Sequence, residues 1–310
     1  MAEISAKPST APRAINRYRA RNLLGSVFIN GILIVISIIC ILPVIVVVSS
    51  SLTTEAAFAK YGYTILPVEL SLGAYQYIFA DPAQLFMAYG VSLLVTVLGT
   101  SGGLLVMSLL AYMLSRKDFR LRKLLSFYVF FTMLFSGGLV SSYILVTQIL
   151  GMKNTLQVLI LPSMVAPWLV LLLRTYFATI PDELLDAARI DGAGEWRTFF
   201  QIVIPLSTPA LATVALFAML AYWNDWFTAL VYIDDRRLVP VQYLLYTIQT
   251  NIDFLLSSPQ AASILASSNI QTPVQAVRMA LVVLAIGPIA FAYLGLQRYF
   301  IRGITIGALK

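Results

Sequence analysis

Six long apolar runs constrain the fold of this chain more than any other feature of its sequence. They occupy residues 23–49, 87–114, 124–150, 156–178, 203–226 and 276–300. Each run is long enough to cross the roughly 30 Å hydrocarbon core of a bilayer as a helix. Hydrophobic residues make up 59% of the chain and charged residues only 11%, which is far from the balance of soluble domains. The sequence therefore predicts an all-α polytopic membrane protein with six transmembrane helices.

Basic residues are distributed unevenly between the two sides of this predicted topology. Of the 21 Lys and Arg residues, 16 lie on the side of the N-terminal tail, and the other five are Lys60, Lys153, Arg236, Arg237 and Arg278. Because an excess of Lys and Arg marks the cytoplasmic side, both termini are predicted to be cytoplasmic. Residues 1–22 would form a cytoplasmic basic tail and residues 23–310 the transmembrane domain. The net charge of +7 then reflects topology and contact with membrane lipid, and it predicts no nucleic-acid partner.

A charged segment with two glycines, at about 180–202, separates the fourth and fifth apolar runs. Pro181 suits a first helical position, and Asp182, Glu183 and Asp186 place negative charge near the positive end of a helix dipole. Gly192 can adopt the positive backbone angle that ends such a helix. The segment therefore predicts a short helix that lies outside the bilayer.

The apolar and small residues of this short helix predict a protein-binding knob. Leu184, Leu185 and Ala188 share one face at i, i+3 and i+4 spacing. Ala187 and Ala188 are small enough to let another protein approach closely. The alternative is an ordinary amphipathic helix that lies on the membrane surface.

The same segment resembles the cytoplasmic coupling loop of ABC importer permeases. The signature of that family is Glu-Ala-Ala, three residues, Gly, nine residues and then Ile-x-Leu-Pro. Here three residues separate Asp186-Ala187-Ala188 from Gly192, and nine more separate Gly192 from Ile202-Val203-Ile204-Pro205. The spacing matches throughout, with Asp in place of Glu at 186 and Ile in place of Leu at 204.

The resemblance implies a transport subunit that works with several partners. It implies a coupling helix, between the fourth and fifth spans, that docks an ATPase subunit through Glu183, Leu184, Asp186, Ala187, Ala188, Asp191, Gly192 and Pro205. It also implies a second homologous permease, two ATPase subunits and an external sugar-binding protein, with this chain forming half of the pathway. The sequence has no Gly-Lys-Ser/Thr phosphate loop, so the partner must bind ATP. With no His in the chain, no His-based metal site, Ser-His-Asp triad or His general base can form. We predict no metal site, no cofactor and no enzyme activity.

Three further stretches resemble the carbohydrate-uptake branch of this family. Residues 135–155 are similar to a stretch typical of complex-sugar and oligosaccharide permeases. Residues 222–233 resemble the end of the fifth span in that branch, and residues 303–310 resemble its C-terminus. The resemblance therefore implies import of carbohydrates, most specifically oligosaccharides, across a prokaryotic plasma membrane.

A cluster of aromatic and polar residues near the outer end of the fifth run predicts contact with a sugar. Aromatic faces suit the C–H surface of a sugar ring, and amides or carboxylates suit its hydroxyl groups. The candidates for the substrate path are Tyr222, Trp223, Asn224, Asp225 and Trp226. For the two Trp residues, an interfacial aromatic belt is an equal alternative. Asn224 and Asp225 favour function more strongly, because neither is a belt residue.

Other classes of membrane protein fit the sequence less well. An ABC importer for a solute that is not a sugar would share the coupling loop. A secondary transporter would more often place charged residues in mid-span, and this chain has almost none there. A membrane-embedded enzyme would need a cluster of catalytic groups, and only Asp225 lies near the membrane. Gly99 and Gly103 have the spacing of a helix-packing pair.

Overall fold

The computed structural model describes residues 13–257 and 274–307, with side chains for 27–254, 257 and 274–291. All regular secondary structure in these ranges is helical, and two extended segments meet at one isolated bridge, Thr53 to Leu70. The prediction of an all-α membrane protein is confirmed. Most of the predicted basic tail and the end of the C-terminal match lie outside the described residues. Packing divides the chain into two units, Met1–Ala74 with Pro273–Ala280, and Tyr75–Thr272 with Leu281–Lys310.

The first unit contains helices α1 (Arg13–Ser51) and α2 (Glu55–Tyr61), the start of α3 (Gly73–Ile78) and the start of the last helix, Val274–Gly307. Helix α1 begins inside the predicted tail, so no break in secondary structure marks the predicted boundary at residue 22. The Thr54 hydroxyl accepts a hydrogen bond from the Ala57 amide and caps α2. The Glu55 carboxylate accepts a hydrogen bond from the Gln275 backbone amide of the last helix at 3.1 Å, as expected for an anion at a helix N-terminus.

The second unit is built around one long helix, α4 (Pro82–Ser115). The helices that follow it are α5 (Arg122–Leu134), α6 (Gly138–Ile144), α7 (Leu156–Ile160), α8 (Pro167–Phe177), α9 (Asp182–Ile190), α10 (Glu195–Thr198), α11 (Ile204–Leu206), α12 (Thr208–Trp223), α13 (Phe227–Tyr232), α14 (Val241–Ser257) and the rest of the last helix, α15 (Val274–Gly307). Two π-helical segments extend α6 and α10, at Leu145–Ile149 and Phe199–Val203, and a 3-10 turn occupies Arg236–Leu238.

The candidate membrane spans are less regular than six continuous helices. By length and apolar composition, three described helical segments can cross a bilayer without a break: Val27–Ser51, Pro82–Ser115 and Val274–Phe291. Two more spans are possible if bent pairs count as one, with bends of 114° after Leu134 and 84° after Leu206. The fourth predicted span is divided into α7 and α8, which are both short.

Glycine and proline residues account for these interruptions. Gly137 and Gly138 lie where α5 ends and α6 begins, and Gly138 has a positive φ of 79°. Pro162 lies in the gap between α7 and α8, and Pro167 is the first residue of α8. A proline removes a helical hydrogen bond and clashes with the preceding turn, so the helix is interrupted here. Broken helices at membrane depth are tolerated where protein or a water-filled cavity surrounds them.

Helix α4 packs closely against α8 and α12, and glycines make this possible. A Cβ atom at Gly99 would overlap the ring of Tyr222 on α12. A Cβ atom at Gly103 would lie 2.7 Å from the carbonyl oxygen of Met164, just before α8. The predicted role of these two glycines in helix packing is confirmed. The main core cluster then continues along α4 to Tyr112 and Leu114, next to Leu185 of α9.

Candidate functional site

The short helix α9 lies at 182–190, where the sequence predicts the coupling helix. Asp182 and Glu183 occupy its first turn, and Pro181 precedes it as the N-cap residue. At its other end the Ala193 amide donates to the Ala188 carbonyl at 2.9 Å, and the Gly192 amide donates to the Arg189 carbonyl at 3.0 Å. This is a Schellman motif, which requires a left-handed residue at its C′ position. Gly192 has a φ of 78°, as predicted.

The two faces of α9 differ from the predicted arrangement at one position. Leu185 and Ala188 are buried against the rest of the chain, whereas Leu184 is 45% exposed. The interpretation that the Ala188 methyl group faces a partner is therefore corrected. Helix geometry explains this, because Leu185 and Ala188 are one turn apart and both face the core. The outward surface instead carries Glu183, Asp186, Ala187, Asp191 and the apolar Leu184.

Two further exposed apolar side chains, at the end of α9 and in α10, lie outside the predicted residues. Ile190, the last residue of α9, is 87% exposed, and Trp196 of α10 is 68% exposed. The ring of Trp196 stacks on Phe200, with 6.1 Å between centroids and 13° between planes. Large apolar side chains that are exposed together mark interaction surfaces more often than isolated ones.

A cluster of charged side chains joins α9 to the loop that follows α4. Arg189 lies in the last turn of α9, and its Nη2 atom is 2.6 Å from Asp118 Oδ2 and 3.1 Å from Glu195 Oε1. Arg116 forms a second ion pair with Asp118, at 3.1 Å. The Tyr112 hydroxyl donates to Glu195 Oε2 at 2.6 Å. These five residues come from three separate segments of the chain and form one continuous polar network.

The network holds the Asp118 carboxylate in its ionised form. Hydrogen bonds from Arg116 and then from Arg189 lower the pKa of Asp118 to about 2. A carboxylate whose pKa is lowered in the folded protein contributes stability above its unfolded pKa, near 4. That contribution is lost as the pH falls towards 2. The Asp118 carboxylate is therefore ionised throughout the physiological range. Hydrogen bonds to Asp118 and then to Glu195 raise the pKa of Arg189.

A second ion pair joins the opposite end of α9 to the same loop. Lys117 Nζ lies 2.8 Å from Asp182 Oδ2 at the start of α9. The hydrogen bond between them raises the pKa of Lys117 and lowers that of Asp182. Both side chains are well exposed, so solvent screens this pair strongly.

A pocket of about 570 Å³ opens beside the network, between the end of α4 and α10. Its walls are mostly apolar, with Met113, Phe119, Trp196 and Phe199 among the lining residues, and Arg116 and Glu195 supply the charged part. The pocket therefore adjoins the polar network and includes the exposed Trp196 in its lining. In the described part of the chain, no group of three or more His, Cys, Asp or Glu residues could hold a metal ion.

The predicted motif ends at Pro205, where the chain turns towards α12. The preceding residues Phe199–Val203 form a π-helical segment, and Pro205 follows at the start of α11. Because proline has no amide hydrogen, it cannot continue the pattern of helical hydrogen bonds at this point. The chain then bends by 84° before α12. Pro205 is exposed and does not contribute to the face of α9.

The candidate substrate-path residues lie together at the end of α12, but they differ in their surroundings. The Tyr222 hydroxyl donates to the Ile160 carbonyl at 2.8 Å, and Trp223 Nε1 donates to the Ala285 carbonyl at 3.0 Å. Both side chains are buried. Trp226 stacks on Tyr246, with 4.2 Å between ring centroids. These three aromatic side chains already serve the packing of the protein.

The polar pair at this position is more accessible. Asn224 is exposed, and its Nδ2 donates to the Leu220 carbonyl at 2.9 Å. Asp225 is half-buried and accepts a hydrogen bond from the Thr228 amide at 3.0 Å, at the start of α13. Both side chains therefore stabilise helix ends, and each carboxylate or amide retains further hydrogen-bonding capacity.

The polar network and the exposed apolar residues were not predicted from the sequence. Asp118 and Arg189 are 71 residues apart, and Tyr112 and Glu195 are 83 apart, so no local pattern connects them. Ile190 and Trp196 could have been found, because both are large apolar residues inside a charged loop. Trp196 also follows directly after Glu195, at the start of the second short helix.

Comparisons with known proteins identify the family to which this sequence belongs. Residues 103–306 match the profile of a family described as binding-protein-dependent transport system inner membrane component. This range includes α9 and the whole polar network. The chain therefore belongs to this family of membrane transport components. It is a subunit for transport and not an enzyme.

Two proteins of Bacillus subtilis (strain 168) are similar to the chain along almost its whole length. The polygalacturonan/rhamnogalacturonan transport system permease protein YtcP is 37% identical over 290 residues, which cover 94% of this chain and 99% of YtcP. Protein LplC is 36% identical over 292 residues, which cover 94% of this chain and 95% of LplC.

A solved structure supports the same relationship. A chain from a bacterial ABC transporter involved in the import of the acidic polysaccharide alginate superposes with a TM-score of 0.73 and 26% sequence identity. The superposition covers 94% of this chain and all of that one. The family resemblance predicted from the motif at 186–205 is confirmed.

Proposed function

We propose that this chain is a permease subunit of an ATP-driven importer of carbohydrates, with oligosaccharides as its substrates. The observation that carries this proposal is the 37% identity to YtcP along nearly the full length of both chains. The chain would form half of the translocation pathway, and a second homologous permease would form the other half. An external sugar-binding protein would deliver the substrate, and two ATPase subunits would supply the energy.

The outward surface of α9 is the proposed contact with an ATPase subunit. This surface combines the apolar side chains of Leu184, Ile190 and Trp196 with the carboxylates of Glu183 and Asp186. Such a combination suits a partner with an apolar groove and basic residues at its rim. The Schellman motif at Gly192 supports the role, because it gives the helix a defined end.

The proposed orientation places α9 and both termini in the cytoplasm and the α12–α13 junction towards the outside. The distribution of Lys and Arg supports this orientation. The loop that follows α4 carries Arg116 and Lys117, and α9 carries Arg189, in addition to the acidic residues there. Residues 1–22 remain the proposed basic tail. In this arrangement α4 runs from the outer side to the loop that contacts α9.

The proposed substrate contacts are limited to the polar pair at the end of α12. Asn224 and Asp225 are accessible and can exchange or add hydrogen bonds with sugar hydroxyl groups. Tyr222, Trp223 and Trp226 would instead position this pair, since each has a partner within the protein.

The sugar assignment is tested by uptake in a strain that lacks the gene for this chain. The strain is complemented with the intact gene and supplied with radiolabelled trigalacturonate, maltotriose or a tripeptide. We expect the intact chain to restore uptake of at least one of the two oligosaccharides and not of the tripeptide. Restoration of tripeptide uptake alone would contradict the proposal.

The ATPase contact is tested by copurification. Ile190→Asp places a charge in the middle of the proposed apolar contact, and Leu66→Asp is a matched control at another exposed Leu or Ile position. We expect Ile190→Asp to lower the amount of ATPase subunit that copurifies with the chain, while Leu66→Asp leaves it unchanged. Equal recovery with both variants would argue against contact at this surface.

A further inference from the structure

Two consecutive residues after α4 hold opposite ends of the coupling helix α9. Lys117 contacts Asp182 at the first residue of the helix, and Asp118 contacts Arg189 in its last turn. The two helix residues are seven positions apart, which corresponds to about 10 Å along the helix axis. Contacts at both ends of α9 resist tilting as well as displacement.

The contact at Asp118 is the stronger of the two. Lys117 and Asp182 are exposed and form an isolated pair, which contributes little in water. Asp118 is bound by Arg189 and also by Arg116. The side chain of Arg116 is 11% exposed, whereas those of Asp118 and Arg189 are 54% and 41% exposed. Several charges that share one network support one another more than an isolated pair does.

Glu195 extends the network from the loop to α4 itself. Its carboxylate accepts hydrogen bonds from Arg189 of α9 and from the hydroxyl of Tyr112, which lies in the last turns of α4. The ring of Tyr112 is buried and packs on Phe199, with 5.3 Å between ring centroids. Arg189 is therefore linked to α4 by two routes, through Asp118 and through Glu195.

The other connections of α9 are apolar and covalent. Leu185 belongs to the main core cluster, which also contains Tyr112 and Leu114 of α4, and Ala188 is buried as well. The covalent path from α9 to α12 passes through α10, the π-helical segment Phe199–Val203 and an 84° bend. Helices bend at such breaks in the hydrogen-bond ladder, so this path can absorb a displacement of α9.

Helix α4 is suited to receive a displacement. It has 34 residues without an internal proline, which gives a length of about 51 Å at 1.5 Å per residue. It packs along α8 and α12, with the close contacts at Gly99 and Gly103. A rigid, closely packed helix moves as one body.

We propose that Asp118, Arg189 and Glu195 form a clamp that carries movement of the coupling helix α9 into α4. They are positioning residues for the transport cycle, because they act through α4 and need not touch the substrate. The clamp rests on the proposed function, in which an ATPase subunit docks on α9. It assigns a specific route for the movement, which the docking proposal does not.

The clamp is tested in the complete complex, purified with its ATPase subunits in lipid nanodiscs. Hydrogen–deuterium exchange of α4 and α9 is compared with and without ATP plus vanadate. In the unaltered complex we expect both helices to change their exchange. In Asp118→Asn/Arg189→Gln we expect α9 to keep its change and α4 to lose most of it. Arg237→Gln, which removes an exposed ion pair elsewhere in the chain, is the control and should behave as the unaltered chain does.

Rescue experiments separate positioning from general stability. Asp118→Glu keeps the charge and should retain the response of α4. In a Cys40→Ser background, Asp118→Cys/Arg189→Cys should lose the response and regain it when a short bismaleimide joins the two thiols. A wild-type response of α4 in Asp118→Asn/Arg189→Gln, or no recovery after cross-linking, would overturn the clamp alone. Failure of the ATPase subunits to copurify with the unaltered chain would overturn the docking proposal and the clamp together.

Discussion

At the scale of single residues, Gly192 shows how a short motif specifies a local backbone. The motif places three residues between Ala188 and this Gly, and the structure gives Gly192 a φ of 78°. No atom lies within 4 Å of the position that a Cβ would occupy. The requirement for Gly therefore comes from the backbone conformation and not from space.

Replacement of Gly192 should misplace the end of α9 without affecting membrane insertion. Gly192→Val puts a β-branched residue in the left-handed region, which costs about 1–2 kcal/mol. We expect a lower yield of copurified ATPase and slower uptake of the transported oligosaccharide. Gly192→Asn is the matched control, because Asn tolerates this conformation. If Val and Asn gave equal yields, the backbone angle would have no role in docking.

Asn224 allows the substrate path to be tested at one side chain. Its amide bonds the end of its own helix and is exposed, so Asn224→Ala should leave assembly and thermal stability close to wild type. We expect uptake of the transported oligosaccharide to fall if Asn224 contacts the sugar. Asn251→Ala removes another exposed helical amide and serves as the control. Loss of stability together with uptake would assign Asn224 to helix capping instead.

At the scale of the elements, α4 connects the parts of the second unit. Its glycines admit Tyr222 and the Met164 carbonyl, and its end supplies Tyr112 to the network around α9. The breaks in the neighbouring spans arise at Gly137, Gly138, Pro162 and Pro167, as their backbone properties predict. Helix α4 is therefore a long unbroken helix that lies next to shorter and bent ones.

A methyl group at Gly103 should destabilise this packing. Gly103→Ala would bring Cβ to 2.7 Å from a backbone carbonyl, and backbone cannot move aside as a flexible side chain can. We expect a loss of about 1–3 kcal/mol, which is typical of overpacking, measured as a lower thermal midpoint in detergent. Gly90→Ala on the same helix meets no atom within 4 Å and should be tolerated. Equal thermal midpoints for the two variants would show that α4 packs less closely on the segment at Met164 than the structure indicates.

At the scale of the whole molecule, the orientation in the membrane is the prediction on which the coupling role depends. Single cysteines are introduced in a Cys40→Ser background at Gly194 and at Arg237, which are both exposed. We expect an impermeant thiol reagent to label the Arg237 site in intact cells and to reach Gly194 only after the membrane is opened. Labelling of Gly194 from outside would reverse the orientation and exclude docking of a cytoplasmic ATPase.

Much of the candidate site could be predicted because it is local. The capping residues, the helix at 182–190 and the turn at Gly192 lie within one short stretch, where spacing and backbone preference act directly. The inward position of Ala188 could not be predicted with the same reliability. Ala188 is one turn away from the exposed Leu184 as well as from the buried Leu185, and only the position of the core decides which of them it joins.

The sequence by itself determined the class of the protein, since apolar runs of this length are stable in a bilayer and a coupling motif specifies its own helix and turn. Only the tertiary structure decided which side chains meet. The network of Asp118, Arg189, Glu195 and Tyr112 joins residues 71 and 83 positions apart, and the hydrogen bonds of Tyr222 and Trp223 each span 62 residues. Such contacts depend on how helices pack in three dimensions, because charge and hydrogen-bonding capacity alone do not select a partner among many distant residues.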